Sequence, residues 1–264
     1  MIGRRTLVGL SLLSALLFCA FAAQGASAAV AKNTTAVTCV EGGAKDFSDA
    51  HCDKAVTPGT GKFGHVAIEN GKATTISVTN AKTANNTTEA APTVLKGTVF
   101  GVKNEITCKT VSGEGTLTNE GTGTEHKVKG TVTANFTSCT VNKPAGFGCK
   151  VKEPITVKSN TEGVEGNGPE KNTMGLEFKP SSGEVFNEVV IEGCFLAGTF
   201  KTTGTAIGTG TGSPSAKFSG ATNVFTNEMT KETLKLAGNP AEVSSTTTVT
   251  MSGGGSPIAL TTTT

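Results

Sequence analysis

Apolar and polar positions alternate most clearly over Lys127 to Val157, KVKGTVTANFTSCTVNKPAGFGCKVKEPITV. Val128, Gly130, Val132, Ala134, Phe136 and Ser138 fall on one side, and Lys127, Lys129, Thr131, Thr133, Asn135 and Thr137 on the other. Successive side chains of a strand point to opposite faces, so the pattern predicts a half-buried β-strand with a solvated outer face. The strand runs into Cys139, a Pro-Ala-Gly turn at Pro144 to Gly146, then Cys149 and a second extended run. Two such runs around a Pro/Gly loop predict a hairpin with a cysteine near each end.

The same pattern recurs along the chain. Ile76 and Val78 mark one strand, and from Thr93 the runs VLKGTVF, KNEITCK, GTLTN, GLEFK, VFNEVVIEGCF and TLKLAG follow, with a Thr/Val run from Val243 to Met251. Turns rich in Gly, Pro and Asn separate them, and no segment of helical length keeps a 3.6-residue apolar period. The expected fold is all-β: an antiparallel β-sandwich-like domain with disulfides and little helix. Thr-x-Thr pairs such as Thr116/Thr118 and Thr131/Thr133 resemble the flat arrays of ice-binding solenoids, but their spacing is irregular. They are read as the solvent faces of alternating strands.

The first residues follow a different logic. Arg4 and Arg5 precede an apolar stretch from Leu7 to Ala23, and Ala26-Ser27-Ala28 offers a small-x-small cleavage site. Residues 1–28 are therefore expected to be a signal peptide, with the mature chain starting near Ala29 and no membrane span left after its removal. Residues 29–92 are expected to form a small cysteine-stapled N-terminal region and polar linker, 93–251 the β-sandwich-like domain, and 252–264 a flexible Gly/Ser/Thr tail.

Of seven cysteines, Cys19 lies in the signal. The other six, Cys39, Cys52, Cys108, Cys139, Cys149 and Cys194, are an even number in an exported chain and are expected to form disulfides. Proximity favours Cys39–Cys52 and Cys139–Cys149, leaving Cys108–Cys194 by elimination. No Cys-x-x-Cys spacing favours zinc. Without Arg4 and Arg5, 21 lysines balance 21 acidic residues, and the chain has no Trp, no Tyr and no further Arg. Bidentate phosphate contacts and stacking platforms are thus missing, which argues against nucleic acid as a partner. The absence of Trp and Tyr girdles likewise disfavours a transmembrane barrel.

Candidate chemistry is sparse. Every Asp of the protein, Asp46, Asp49 and Asp53, sits with His51 in or beside the loop CVEGGAKDFSDAHC. A calcium site is conceivable there, but the spacing fits no EF-hand, and side chains of this kind also hold turns; the turn-forming reading is preferred, and no cofactor is expected. His51, His65 and His126 lie near no recognisable nucleophile, and no Gly-x-Ser-x-Gly elbow occurs. Glu188 and Glu192 share a strand face, with Glu177 on a neighbouring strand, but an outward charged face gives the same pattern. Asn33, Asn85, Asn86 and Asn135 stand in Asn-x-Thr sequons.

The loop CVEGGAKDFSDAHC, the run LKGTVFGVKNEITCKTVSGEGTLTN, the hairpin CTVNKPAGFGCKV and the segment IEGCFLAGTF together resemble a family of uncharacterised secreted, cysteine-containing β-rich proteins of high-GC Gram-positive bacteria. The resemblance implies export and a bacterial origin, and assigns no residue a role. The expected function is that of a secreted or cell-surface, non-enzymatic β-rich protein that binds or structures an unidentified extracellular or cell-envelope partner. Two alternatives are an extracellular hydrolase with a site built from scattered residues, and a protease inhibitor presenting a stapled loop at Pro144 to Phe147.

Overall fold

The structure, a computed structural model of the 264-residue chain, describes residues 34–50, 52, 54–80, 82–83, 86–122, 126–165, 174–210, 222–225, 233–253 and 258–262. The expected signal peptide lies outside the described residues. Among the described residues there is no helix, and every strand pairing between named elements is antiparallel.

The strand predicted from Lys127 is β8 (Lys127–Lys143), and with β7 (Val102–Glu120) it forms a ribbon that runs the full height of the molecule. Each further lane of the sheet is two shorter strands end to end. On one side of the ribbon, β3 (Thr74–Asn80) pairs with the lower part of β7 and β6 (Thr93–Val99) with its upper part. On the other side, β10 (Ile155–Glu165) pairs with lower β8, while β9 (Lys150–Val151) meets upper β8. The next lanes are β11 (Met174–Pro180) below β12 (Val185–Glu192), then β14 (Ala206–Gly210) below β13 (Gly198–Thr203), then β15 (Thr222–Phe225) below β16 (Lys235–Leu236). The last lane has β17 (Asn239–Pro240) above β18 (Glu242–Met251), and β18 pairs with both β3 and β6. That final pairing closes the sheet into an up-and-down barrel of eight lanes. The all-β, antiparallel, disulfide-bearing architecture expected of the sequence is what the structure shows, with the two layers joined as opposite walls of one closed sheet. A two-stranded hairpin, β4 (Lys82–Thr83) and β5 (Asn86–Ala90), leaves the wall between β3 and β6.

Alternation in β8 holds from Val128 to Phe136 and then changes phase. Ser138 takes a positive φ of 54° and is exposed, after which Cys139 and Val141 turn inward. In β7 the exposed pair Lys109 and Thr110 marks the same switch, between inward Asn104, Ile106 and Cys108 and inward Val111 and Leu117. Glu153 holds the kink: its carboxylate accepts hydrogen bonds from the backbone N–H of Ser138 (2.9 Å) and Cys139 (2.5 Å). The ribbon is also tightly wound. A Cβ at Gly115 would overlap the Thr131 carbonyl oxygen, and one at Gly130 the Thr116 carbonyl, so neither position admits a side chain without backbone movement.

The lower end is plugged by a three-stranded sheet of β1 (Thr34–Glu41) flanked by β2 (Phe63–Ala67) and β19 (Ile258–Thr262). The C-terminal stretch expected to be a flexible tail is therefore in part a paired strand, because Ile258 and Leu260 are buried against the barrel core. Likewise β3, placed by the sequence in the N-terminal region, belongs to the barrel wall. Asn119 at the base of β7 locks the plug: its amide accepts from Ala36 N–H (2.8 Å) and donates to the carbonyls of Ala36 (3.0 Å) and Ile68 (2.9 Å). Burial of these groups makes each bond expensive to lose.

The disulfides are Cys39–Cys52, Cys108–Cys139 and Cys149–Cys194. The first was expected; the pairs Cys139–Cys149 and Cys108–Cys194 are corrected. Thr140 stands opposite Lys150, so Cys149 is two residues out of register with Cys139. Cys139 instead stands opposite Cys108 across the β7–β8 ladder, with Cα atoms 3.9 Å apart.

Candidate functional site: the barrel interior

The buried side chains divide into two main clusters. The lower one contains Ile76, Leu117, Val128, Leu176 and Val249, together with Ala36, Ile258 and Leu260 of the plug. The upper one contains Val99, Ile106, Val189, Ile191, Phe200 and Leu236. Phe136, where β8 changes phase, is the apolar side chain that packs against both. Between the clusters lies a cavity of about 190 Å³.

Seven of the eight lanes contribute to its wall, and Leu234, just before β16, borders it as well. Val132, Ala134 and Phe136 come from β8, Ile106 and Val111 from β7, Val243 and Val249 from β18, and Ile258 from the plug. The space exists because small residues, Ala134 and Ala206, face inward where a larger core would need Leu or Phe. The polar lining is a belt of neutral groups at mid-height: Thr93, Ser159, Asn187, Thr202, Ser245 and Thr247. Most are engaged with the protein. The Thr93 and Ser245 hydroxyls share a hydrogen bond of 2.6 Å, the Thr202 hydroxyl donates to the Asn187 side-chain oxygen, and Ser159 donates to the Val132 carbonyl (3.4 Å). Among the described residues, no Lys, Asp, Glu or His lines the cavity.

None of the described residues singled out in the sequence for catalysis reaches this space. His65 stacks on Phe47 with ring centroids 4.7 Å apart, and the His126 carbonyl accepts from Thr34 N–H (3.2 Å) at the lower end. Glu188 and Glu192 are exposed on the outer wall. Glu177 is buried but paired with Lys179 at 2.7 Å, away from the cavity lining. In the acidic loop, Asp46 accepts from Gly59 N–H (3.3 Å) and Asp49 from Lys54 N–H (2.8 Å), the turn-holding use of a carboxylate. His51 and Asp53 lie outside the described residues, and among those described no group of three His, Cys, Asp or Glu could hold a metal.

The outer wall is polar. Lys129 pairs with Glu120 at 2.8 Å, which raises the lysine's pKa, and Lys143 pairs with Glu105 at 3.0 Å, which holds the glutamate below the ordinary carboxylate range. Apolar side chains thus face inward and charges outward. No helix among the described residues is long and apolar enough to cross a membrane.

The interior site was not among the residues singled out from the sequence. Alternation in β8 marks its inward face, but the partners that complete the belt are remote: Thr93 and Ser245 are 152 positions apart. No protein-family model matches the chain, and no curated protein or solved structure is significantly similar to it.

Proposed function

We propose that this protein is a secreted, non-enzymatic binding protein that holds a small, neutral, apolar molecule inside its barrel. The observation that carries the reading is the uncharged cavity between two separate core clusters. A charge moved into such a space is strongly destabilised without a partner, so carboxylates and amines are disfavoured as ligands. Scale follows from volume: an apolar cavity of about 150 Å³ accommodates benzene, so about 190 Å³ suits one ring or a short hydrocarbon chain. Three disulfides support an oxidising, extracellular location. Among the described residues, the cavity lining offers no acid, base or nucleophilic pair, which favours holding over turnover.

Isothermal titration calorimetry with cyclohexanol and, separately, with hexanoate tests the reading. Saturable binding of the alcohol at one site, and none of the carboxylate, is the expected result. Ala134→Phe, which fills the cavity, should abolish binding while the circular dichroism spectrum is kept. Absence of saturable binding, or binding indifferent to Ala134→Phe, would refute it.

A further inference from the structure

Up-and-down topology brings four connections to the upper end of the barrel: residues 100–101, 144–149, 193–197 and 237–238. Three of the four exposed large hydrophobic residues among those described are in these loops. Phe100 is 76% exposed, Phe147 54% and Phe195 57%. Their positions are fixed. The Cys149–Cys194 disulfide joins two of the loops, and Phe147 meets Phe195 edge to face with centroids 4.8 Å apart. Phe100, at a positive φ of 51° in the β6–β7 turn, leans edge-on against Phe200 at 5.7 Å.

Charge around these rings is uneven. The four loops contain no acidic residue. Within four residues of them along the strands stand seven lysines, among them exposed Lys103, Lys143, Lys150, Lys152 and Lys235, against Glu105, Glu153, Glu192 and Glu242. Seven lysines to four glutamates contrasts with a chain whose lysines and acids are equal in number. Phenyl rings leading and lysines following is the arrangement that lets rings enter the headgroup–acyl boundary while ammonium groups remain among anionic headgroups. A protein-recognition hot spot draws instead on Trp, Tyr and Arg, and the described residues contain none of these.

We propose that the upper end of the barrel docks reversibly on an anionic lipid surface, with Phe100, Phe147 and Phe195 inserted and the lysine collar at the headgroups. This surface is separate from the interior cavity and does not depend on it.

Sedimentation with vesicles tests the proposal, using the oxidised chain from Ala29, which contains every described residue and lacks the apolar stretch at Leu7 to Ala23. Vesicles of phosphatidylcholine mixed with phosphatidylglycerol should deplete the protein, and phosphatidylcholine alone should do so much less. Joint replacement of Phe100, Phe147 and Phe195 by Ser should weaken binding by roughly tenfold or more, since each exposed ring contributes apolar burial. Joint replacement of Lys103, Lys143 and Lys150 by Gln should abolish the preference for anionic vesicles. Ala134→Phe should leave vesicle binding unchanged. Absence of binding to anionic vesicles, equal binding to both compositions, or full binding by the triple Phe→Ser variant would each overturn the proposal. Capture of a protein in place of lipid by the same end would do so as well.

Discussion

The two halves of the barrel are held together by different means. The lower half is packed: β3, β10, β11 and the lower ribbon close on an aliphatic cluster, and the plug strands β1 and β19 complete it. The upper half is stapled: its lanes include β9, β16 and β17, each two residues long, and two disulfides sit beside its core. It even accommodates Asn104, 2% exposed, whose amide has no hydrogen-bonding partner among the described residues. Covalent links compensate where burial is thin, and the cavity lies at the boundary between the two regimes. A disulfide contributes typically about 2–4 kcal/mol, a large share of a small domain's stability.

The largest effect that would break this contrast is expected at the staples. Joint replacement of Cys108 and Cys139 by Ser, or of Cys149 and Cys194, should lower unfolding free energy in urea by about 2–4 kcal/mol, since the links close separations of 31 and 45 residues. Loss of less than about 1 kcal/mol would mean that packing alone holds the upper half. In the lower half, Asn119→Ala removes three buried hydrogen bonds at once and should lose about 3 kcal/mol, with faster amide exchange in β1. Unchanged exchange there would show that the plug does not depend on Asn119.

Two substitutions, one at the boundary and one in the upper half, should act in the opposite direction. Ala134→Ile, filling part of the cavity, should raise stability by about 0.5–2 kcal/mol and weaken binding of cyclohexanol. Asn104→Leu should raise stability by about 1 kcal/mol by removing an unpartnered amide, seen as a higher urea midpoint with unchanged slope. The smallest effect concerns Glu105. Its carboxyl is held low chiefly by its bond to Lys143, so its contribution is present above the unfolded carboxylate pKa and lost as pH falls through the folded value. Glu105→Gln should flatten that acid limb of the stability profile slightly, and added salt should do the same to the parent protein.

Sequence and structure agree where the information is local. The period of two from Val128 to Phe136 identifies β8 and its inward face, and nearness pairs Cys39 with Cys52. They part where register decides. Whether Cys139 faces Cys108 or Cys149 depends on how β7, β8 and β9 align, and a phase change at Ser138 is invisible to a strict alternation. The strand Ile258–Thr262 is short and Thr-rich, and becomes a strand by pairing with β1, more than 200 positions away. The cavity is less legible still, being the space left by Ala134, Ala206 and their neighbours after closure of β18 on β3 and β6.

Interior binding is tested most directly by a crystal of the oxidised protein soaked in iodobenzene, a neutral single-ring probe located by its anomalous signal. Iodine is expected inside the barrel, within contact of Val111, Ala134 and Phe136. Iodine found only against Phe100, Phe147 and Phe195, or nowhere in the barrel, would contradict an interior binding site.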